Sequence, residues 1–362
     1  MIHILIGTRA QLIKMVPVMI ELSRRAIAFN FVFMAQHRST IYEIIQQFGI
    51  KTPDYVLCDR KKDIVKTGQM IVWSIQTVII GFIHRKKIFK NDTTGIVLVH
   101  GDAPPLFLGS LIAKFQGLKV AAVEAGLRSF NFMRPFPEEL VRVVTARANL
   151  IDIFFCQDTN ALKNVSPYKK NAVLTYGNTI YDTLSLTRHS KEEYIPAELP
   201  ERFAIVTIHR YETITHRQMV KKIVTILDSI SKKIPLAFIL HPPTRESLMH
   251  FSLLEKVERN DNIVLLPRMD FLSFHGLMKS AQFVITDGGS NQEESAYMGV
   301  PCLLMRSETE RMEGIGKNVV VSHCDMNIIG DFLDHYKEHR IKTVLRSKTP
   351  TQIIVDSVAA FQ

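Results

Sequence analysis

Short, almost uninterrupted runs of β-branched and aromatic residues alternate along this chain with stretches of helical periodicity. In the first half the runs are Ile2 to Ile6, Phe31 to Ala35, Ile96 to His100, Lys119 to Glu124, Ile153 to Cys156 and Val173 to Thr175. Strands apolar on both sides belong to parallel sheets covered on both faces. After a polar stretch, Thr187 to Glu201, with Pro196 and Pro200, the pattern restarts. The second series is Phe203 to Ile208, Leu236 to Leu240, Ile263 to Leu266, Phe283 to Thr286, Cys302 to Met305 and Val319 to Val321. The expectation is an α/β chain of two doubly wound Rossmann-like domains. They are placed at residues 1–175 and 176–345, with a final segment, 346–362, whose helix from Thr351 to Phe361 crosses back to the first domain. A ligand is expected in the cleft they face, at the carboxyl ends of the strands. Ile64 to Ile83 carries Lys66, Gln69, Ser74 and Gln76, so it predicts a buried helix and not a membrane span.

Composition narrows the class. With 362 residues, one core is too small an enclosure for the chain, and 46% hydrophobic with 22% charged residues is ordinary for a folded protein. Cys58, Cys156, Cys302 and Cys324 are widely spaced and form no zinc or disulfide pattern, which suits a reducing cytoplasm. The apolar run at Met1 is broken by Arg9 and Lys14 before it reaches signal-peptide length. The net charge of +10 comes from scattered clusters without interleaved aromatics, so neither nucleic acid nor a membrane surface is expected as a partner. A solvated surface and a positive cleft account for it.

The chemistry-bearing motifs fall where strands hand over to loops. VHGD ends at Asp102, VEAGLR surrounds Glu124 and PFPEE contains Glu138. A lone acid in such a place is more often a helix cap or a surface ion pair. Three at consecutive strand ends instead suggest grouped carboxylates that raise one another's pKa and so give and take protons near neutrality. Arg128, Glu139 and Arg142 are the candidates to orient them. IGTRAQLIK opens the chain as strand, turn and helix, and Arg9 and Lys14 strengthen a helix end suited to an anion; a plain glycine turn with solvated cations is the equal alternative. Its spacing is neither a dinucleotide fingerprint nor a Walker loop.

In the second half His209 and Arg210 end the first strand, and His241 precedes Pro242; each histidine is a phosphate donor or a core residue. TDGGSNQEE offers Gly288, Gly289 and Ser290 before a helix starting near Asn291, a site for a diphosphate. Glu293 and Glu294 follow, one of them suited to a ribose diol. Arg268 and Phe271 are candidates to stack on a base, with Phe271 equally suited to the core.

GTR, AQHR, HGD, VEAGLR, PEE, GNT, HR, TDGG, QEE and TER stand in this order from Ile2 to about Arg311, and in this the chain resembles the UDP-N-acetylglucosamine 2-epimerase family. The resemblance implies a glycosyltransferase-B-type fold and a cytoplasmic, usually dimeric isomerase. It implies UDP-N-acetylglucosamine and UDP-N-acetylmannosamine as substrates, for bacterial surface polysaccharides, and no metal or redox cofactor. By motif it implies Asp102, Glu124 and Glu138 as acid and base positions and His209 as a phosphate-side histidine. Arg9, Lys14, Gly289, Ser290, Glu294 and Arg311 fall in motifs that hold UDP. Gln36, His37 and Arg38 match a segment through which non-hydrolysing relatives bind a second UDP-N-acetylglucosamine as activator.

The departures concern the sugar more than UDP. Ala103, Pro104 and Pro105 replace a threonine-rich turn, Gln11 stands in AQLIK where PEAIK is common, and Val141 replaces asparagine. Gly288, Gly289 and Ser290 reverse a serine-glycine-glycine order. A modified UDP-sugar, a hydrolysing epimerase that releases N-acetylmannosamine, and a sugar-nucleotide sensor without turnover are the alternatives. A glycosyltransferase is disfavoured by the three acids.

Overall fold

The computed structural model describes residues 1–36, 41–58, 67–132, 137–187, 195–343 and 346–361. The chain forms two compact units, Met1–Leu186 with Arg346–Gln362, and Thr187–Leu345.

The first unit is built on a seven-stranded sheet in the order β3-β2-β1-β4-β5-β6-β7. Its strands are β1 (Ile2–Ile6), β2 (Phe29–Phe33), β3 (Tyr55–Val56), β4 (Ile96–His100), β5 (Lys119–Val123), β6 (Ile153–Cys156) and β7 (Asn171–Leu174). Every pairing is parallel, with Ile2 opposite both Phe29 and Ile96. Strand order reverses between β1 and β4. A crevice therefore opens beyond their carboxyl ends, where Gly7 and the Gly101–Asp102 turn lie. The buried apolar side chains of β4, β5 and β6 pack beneath it with Leu106, Ile112 and Trp73.

The second unit repeats the plan with six parallel strands in the order β10-β9-β8-β11-β12-β13. They are β8 (Ala204–Thr207), β9 (Leu236–Leu240), β10 (Ile263–Pro267), β11 (Val284–Thr286), β12 (Cys302–Leu304) and β13 (Val319–Val321). Here the order reverses between β8 and β11, which puts His209 and the turn at Gly288 at the equivalent place. Apolar layers cover both faces of this sheet, one around Phe283 and Phe332 and the other around Phe203 and Met278.

Three expectations change. The boundary lies at Leu186 and not at residue 175, because helix Ile180–Leu186 is tied into the first unit. Thr183 Oγ1 donates to the Ile13 carbonyl at 2.8 Å, and the Thr351 amide donates to Asp182 at 2.9 Å. Strand β3 has only two residues, too few to show periodicity. The helix read as buried spans Thr67–Ile88, and although Trp73 is fully enclosed, Ile71 is 57% and Ile83 64% exposed. Ile75, Ile79 and Phe82 complete an open apolar stripe. The final helix, Pro350–Val358, starts from Thr349 in a capping box with Gln352 and lies with the first unit. No helix among the described residues is long and apolar enough to cross a membrane.

Candidate active site

Glu124 sits where β5 ends, in a left-handed backbone conformation with φ of 60°. That turn aims its carboxylate inward, and the side chain is buried. Lys14 reaches it from the first helix, Arg9–Arg24, as an ion pair through Nζ to Oε2. Asn178 donates to the same oxygen at 2.5 Å, and His100 Nε2 stands 3.5 Å away. Asn178 also meets Gln157 at 3.3 Å. Glu124, Arg128 and Arg142 line one cavity, whose inner wall is apolar: Leu106, Ala122, Val143, Phe154 and Tyr168 among others.

Asp102 follows β4 and pairs with Arg142, which also approaches Glu139 at 3.4 Å. Glu139 is wholly buried, accepting from Arg128 Nε at 2.5 Å and from the Ser129 amide at 3.0 Å. Burial pushes its carboxyl pKa up, but those hydrogen bonds and the charges of Arg128 and Arg142 outweigh it and leave the group below the usual range. Glu138, half-buried, opens helix Glu138–Arg147 immediately before it. The carboxylates were expected to be grouped against one another. Of the three expected, Asp102 and Glu124 are each paired with a cation instead, as is the orienting candidate Glu139, because adjacent buried anions repel strongly in a poorly screened interior.

The opening helix also differs from expectation. Gln11 closes a capping box with Thr8: its Oε1 accepts from the Gly7 amide at 2.9 Å and the Thr8 amide at 3.2 Å. Its Nε2 donates to the His100 carbonyl at 2.7 Å. Those amides are therefore occupied within the chain, and Arg9, partly exposed at the helix start, carries what positive character the end presents, Lys14 being buried and paired with Glu124. Gln36 is buried at the end of its segment, while His37 and Arg38 lie outside the described residues.

In the second unit Asp287 organises the site. Its two oxygens accept from the His209 and Arg210 amides, each at 3.0 Å, fixing the loop after β8 to the loop after β11. The His209 ring, partly exposed, lies 4.9 Å from the His241 ring, and the Thr207 hydroxyl stands 3.4 Å from both. Gly288 is needed here, since a Cβ on it would come within 2.7 Å of His209 Cε1. The Gly288 amide donates to Thr286 Oγ1 at 2.9 Å, so it is not a free anion donor. Helix Gly289–Met298 begins two residues earlier than expected and leaves Ser290 exposed.

The two glutamates of that helix part company. Glu293 is fully buried and ion-paired to Arg311, which packs against Gly289. Glu294 accepts from Asn291 at 3.0 Å and faces His275 at 3.4 Å. Arg311 thus braces the turn from behind. Arg210 is drawn to Glu212 at 2.6 Å, and Arg306 to Glu310 at 3.1 Å. Arg268 is exposed, but Phe271 is buried with its ring 4.0 Å from His275 and offers no open face to a base.

Sequence reasoning missed Gln11, His100, Asn178, His275 and Asn291 as parts of these clusters. His100 and Asn178 stand inside the HGD and GNT motifs, so a signal existed. His275 carried none. No group of metal-ligating side chains occurs among the described residues.

The family model for UDP-N-acetylglucosamine 2-epimerase matches residues 21–350. A UDP-N-acetylglucosamine 2-epimerase of Methanococcus maripaludis is 31% identical over 344 residues, spanning 91% of this chain and 89% of its own. The crystal structure of UDP-GlcNAc 2-epimerase from Neisseria meningitidis bound to UDP-GlcNAc is 26% identical with a TM-score of 0.81, over 99% of both chains. The glycotransferase of kitacinnamycin, 10% identical with a TM-score of 0.56 over 99% of this chain and 98% of its own, shares the fold alone. With two parallel sheets of the glycosyltransferase-B type, motif acids at one switch point and a histidine-glycine turn at the other, this chain belongs to the UDP-N-acetylglucosamine 2-epimerase family.

Proposed function

We propose that the chain interconverts UDP-N-acetylglucosamine and UDP-N-acetylmannosamine by eliminating UDP and adding it back. Carbon 2 of the sugar has no neighbouring carbonyl, so its proton is not acidic. Loss of that proton together with the carbon 1 to UDP bond gives 2-acetamidoglucal, and return of UDP with a proton on the opposite face completes inversion. Acids near the ring and a firm hold on the diphosphate are what this requires. The observation that carries the reading is the set of acid–cation pairs around the first switch point, Lys14 with Glu124 and Arg142 with Asp102. Asp102, Glu124 and Glu138 serve as acid and base; Arg142 orients Asp102, and Arg128 holds Glu139 beside Glu138.

In the second unit His209, His241 and the amide end of helix Gly289–Met298, with Ser290, hold the diphosphate. Glu294 receives the ribose diol, since Glu293 is committed to Arg311. The product supplies surface-polysaccharide synthesis in the cytoplasm. Positional isotope exchange tests the elimination: with oxygen-18 in the bridge between carbon 1 and phosphorus, the label scrambles into non-bridging positions. Retention of label in the bridge during epimerisation would overturn it.

We also infer a homodimer. Ile71, Ile75, Ile79 and Ile83 recur every four residues along one side of helix Thr67–Ile88, with Phe82 edge-on to exposed Phe115 at 5.1 Å. Such a stripe meets its own copy across a two-fold axis. Activation by a second UDP-N-acetylglucosamine through Gln36, His37 and Arg38 is read from velocity curves. Full turnover of UDP-N-acetylmannosamine alone would remove it.

A further inference from the structure

Asn178 is buried between strand β7 and helix Ile180–Leu186. Its Oδ1 accepts from the Ile180 amide at 3.0 Å, which settles the orientation of the side-chain amide and makes Nδ2 the donor end. Nδ2 carries two hydrogens and meets two acceptors, Glu124 Oε2 at 2.5 Å and Gln157 Oε1 at 3.3 Å. Lys14 Nζ donates to the same Glu124 oxygen, whose two lone pairs can receive both donors. The helix that follows Asn178 is tied to the helix that carries Lys14, since Thr183 Oγ1 donates to the Ile13 carbonyl at 2.8 Å. His100 Nε2 also faces Oε2 at 3.5 Å, and Arg128 and Arg142 line a cavity with Glu124.

We propose that Asn178 is a positioning residue for Glu124: it fixes the direction of the carboxylate and holds it in the ionised, proton-accepting form. The two donors divide the work. An ammonium is a point charge on a flexible stem, so Lys14 supplies charge with little direction. The amide of Asn178 is held by Ile180 on one side and Gln157 on the other, so its hydrogen points one way before any ligand arrives. Hydrogen bonds donated to a carboxylate favour its charged state, and bonds arranged in advance need no reorganisation during the reaction. The proposal rests on the reading of Glu124 as an acid–base residue.

Steady-state turnover of UDP-N-acetylglucosamine by the full-length protein, followed across pH, tests it. Glu124→Gln should lower kcat by about a hundredfold or more. Asn178→Ala should lower kcat by about tenfold, the scale of a lost hydrogen bond to a charged group, with KM little changed. It should also move the acidic limb of the kcat profile upward by about one pH unit, because an unsupported carboxylate keeps its proton longer. Asn178→Asp keeps the acceptor for the Ile180 amide but sets a second carboxyl against Glu124, so its limb should move further in the same direction. If Glu124→Gln loses turnover while the Asn178 variants leave kcat unchanged, lower it without moving the limb, or act through KM alone, the positioning role is overturned and the reading of Glu124 stands. If Glu124→Gln turns over as the unaltered protein does, the reading of Glu124 itself falls, and the proposal with it. Should Asn178→Ala not fold, Asn178→Asp is read by the same profile.

Discussion

Lys14 and Glu124 are both buried, and the pair stands or falls together. Removing one partner leaves a buried charge without compensation, which typically costs about 3–5 kcal/mol. Lys14→Met is therefore expected to lower stability by about that much in denaturant titration, whereas replacement of the exposed Arg268 leaves it unchanged. Asp102 differs, being partly open beside Arg142. Asp102→Asn should lower turnover by about a hundredfold or more, the usual weight of a general acid or base, with UDP affinity retained. Equal activity would remove Asp102 from the chemistry. Glu310 gives a pH test. Burial raises its carboxyl pKa, but the charges of Arg311 and Arg306 prevail and bring it down to about 2 from 4.5. A carboxyl depressed on folding stabilises fully above its unfolded pKa and loses that contribution as pH falls through the folded one. Melting temperatures of the unaltered protein should thus decline between pH 4.5 and about 2, and Glu310→Gln should flatten that segment. Asp102 and Glu124 were legible in the sequence because they follow apolar strands, whereas Glu138 opens a helix and not a strand end. Arg142 was legible as an orienting residue, but the pairing of Lys14 with Glu124 was not, since the two meet across 110 residues and only the folded sheet brings them together.

At the scale of elements, continuous apolar runs announce the parallel strands well, because burial on both faces leaves few polar positions. Strand β3 escaped because two residues carry no period, and the helix Thr67–Ile88 was misjudged because an apolar face looks the same whether core or a second chain covers it. Ile75→Lys tests the second possibility: sedimentation should show a dimer for the unaltered protein and a monomer for the variant. A monomer in both would leave the stripe without the proposed occupant. The reversed turn at Gly288 is similarly local. A side chain there meets both His209 Cε1 at 2.7 Å and Asn291 Oδ1 at 2.8 Å. Gly288→Ser, although it restores the hydroxyl expected of the family, should therefore displace His209 and weaken UDP binding in calorimetry. Unchanged binding would mean that the loop yields without loss.

For the whole molecule, each unit places its candidate site residues at the point where its own strand order reverses, a placement expected of open α/β sheets that the sequence pattern alone made available. The unit boundary was less legible: helix Ile180–Leu186 is attached by Thr183 and Asp182, contacts that no composition change signals. Family membership follows from the family match over residues 21–350. The most direct measurement is proton NMR of the protein with UDP-N-acetylglucosamine in deuterated water. The account predicts loss of the carbon 2 proton signal together with the appearance of UDP-N-acetylmannosamine. Free N-acetylmannosamine with UDP, or tight UDP binding with no exchange at carbon 2, would contradict it.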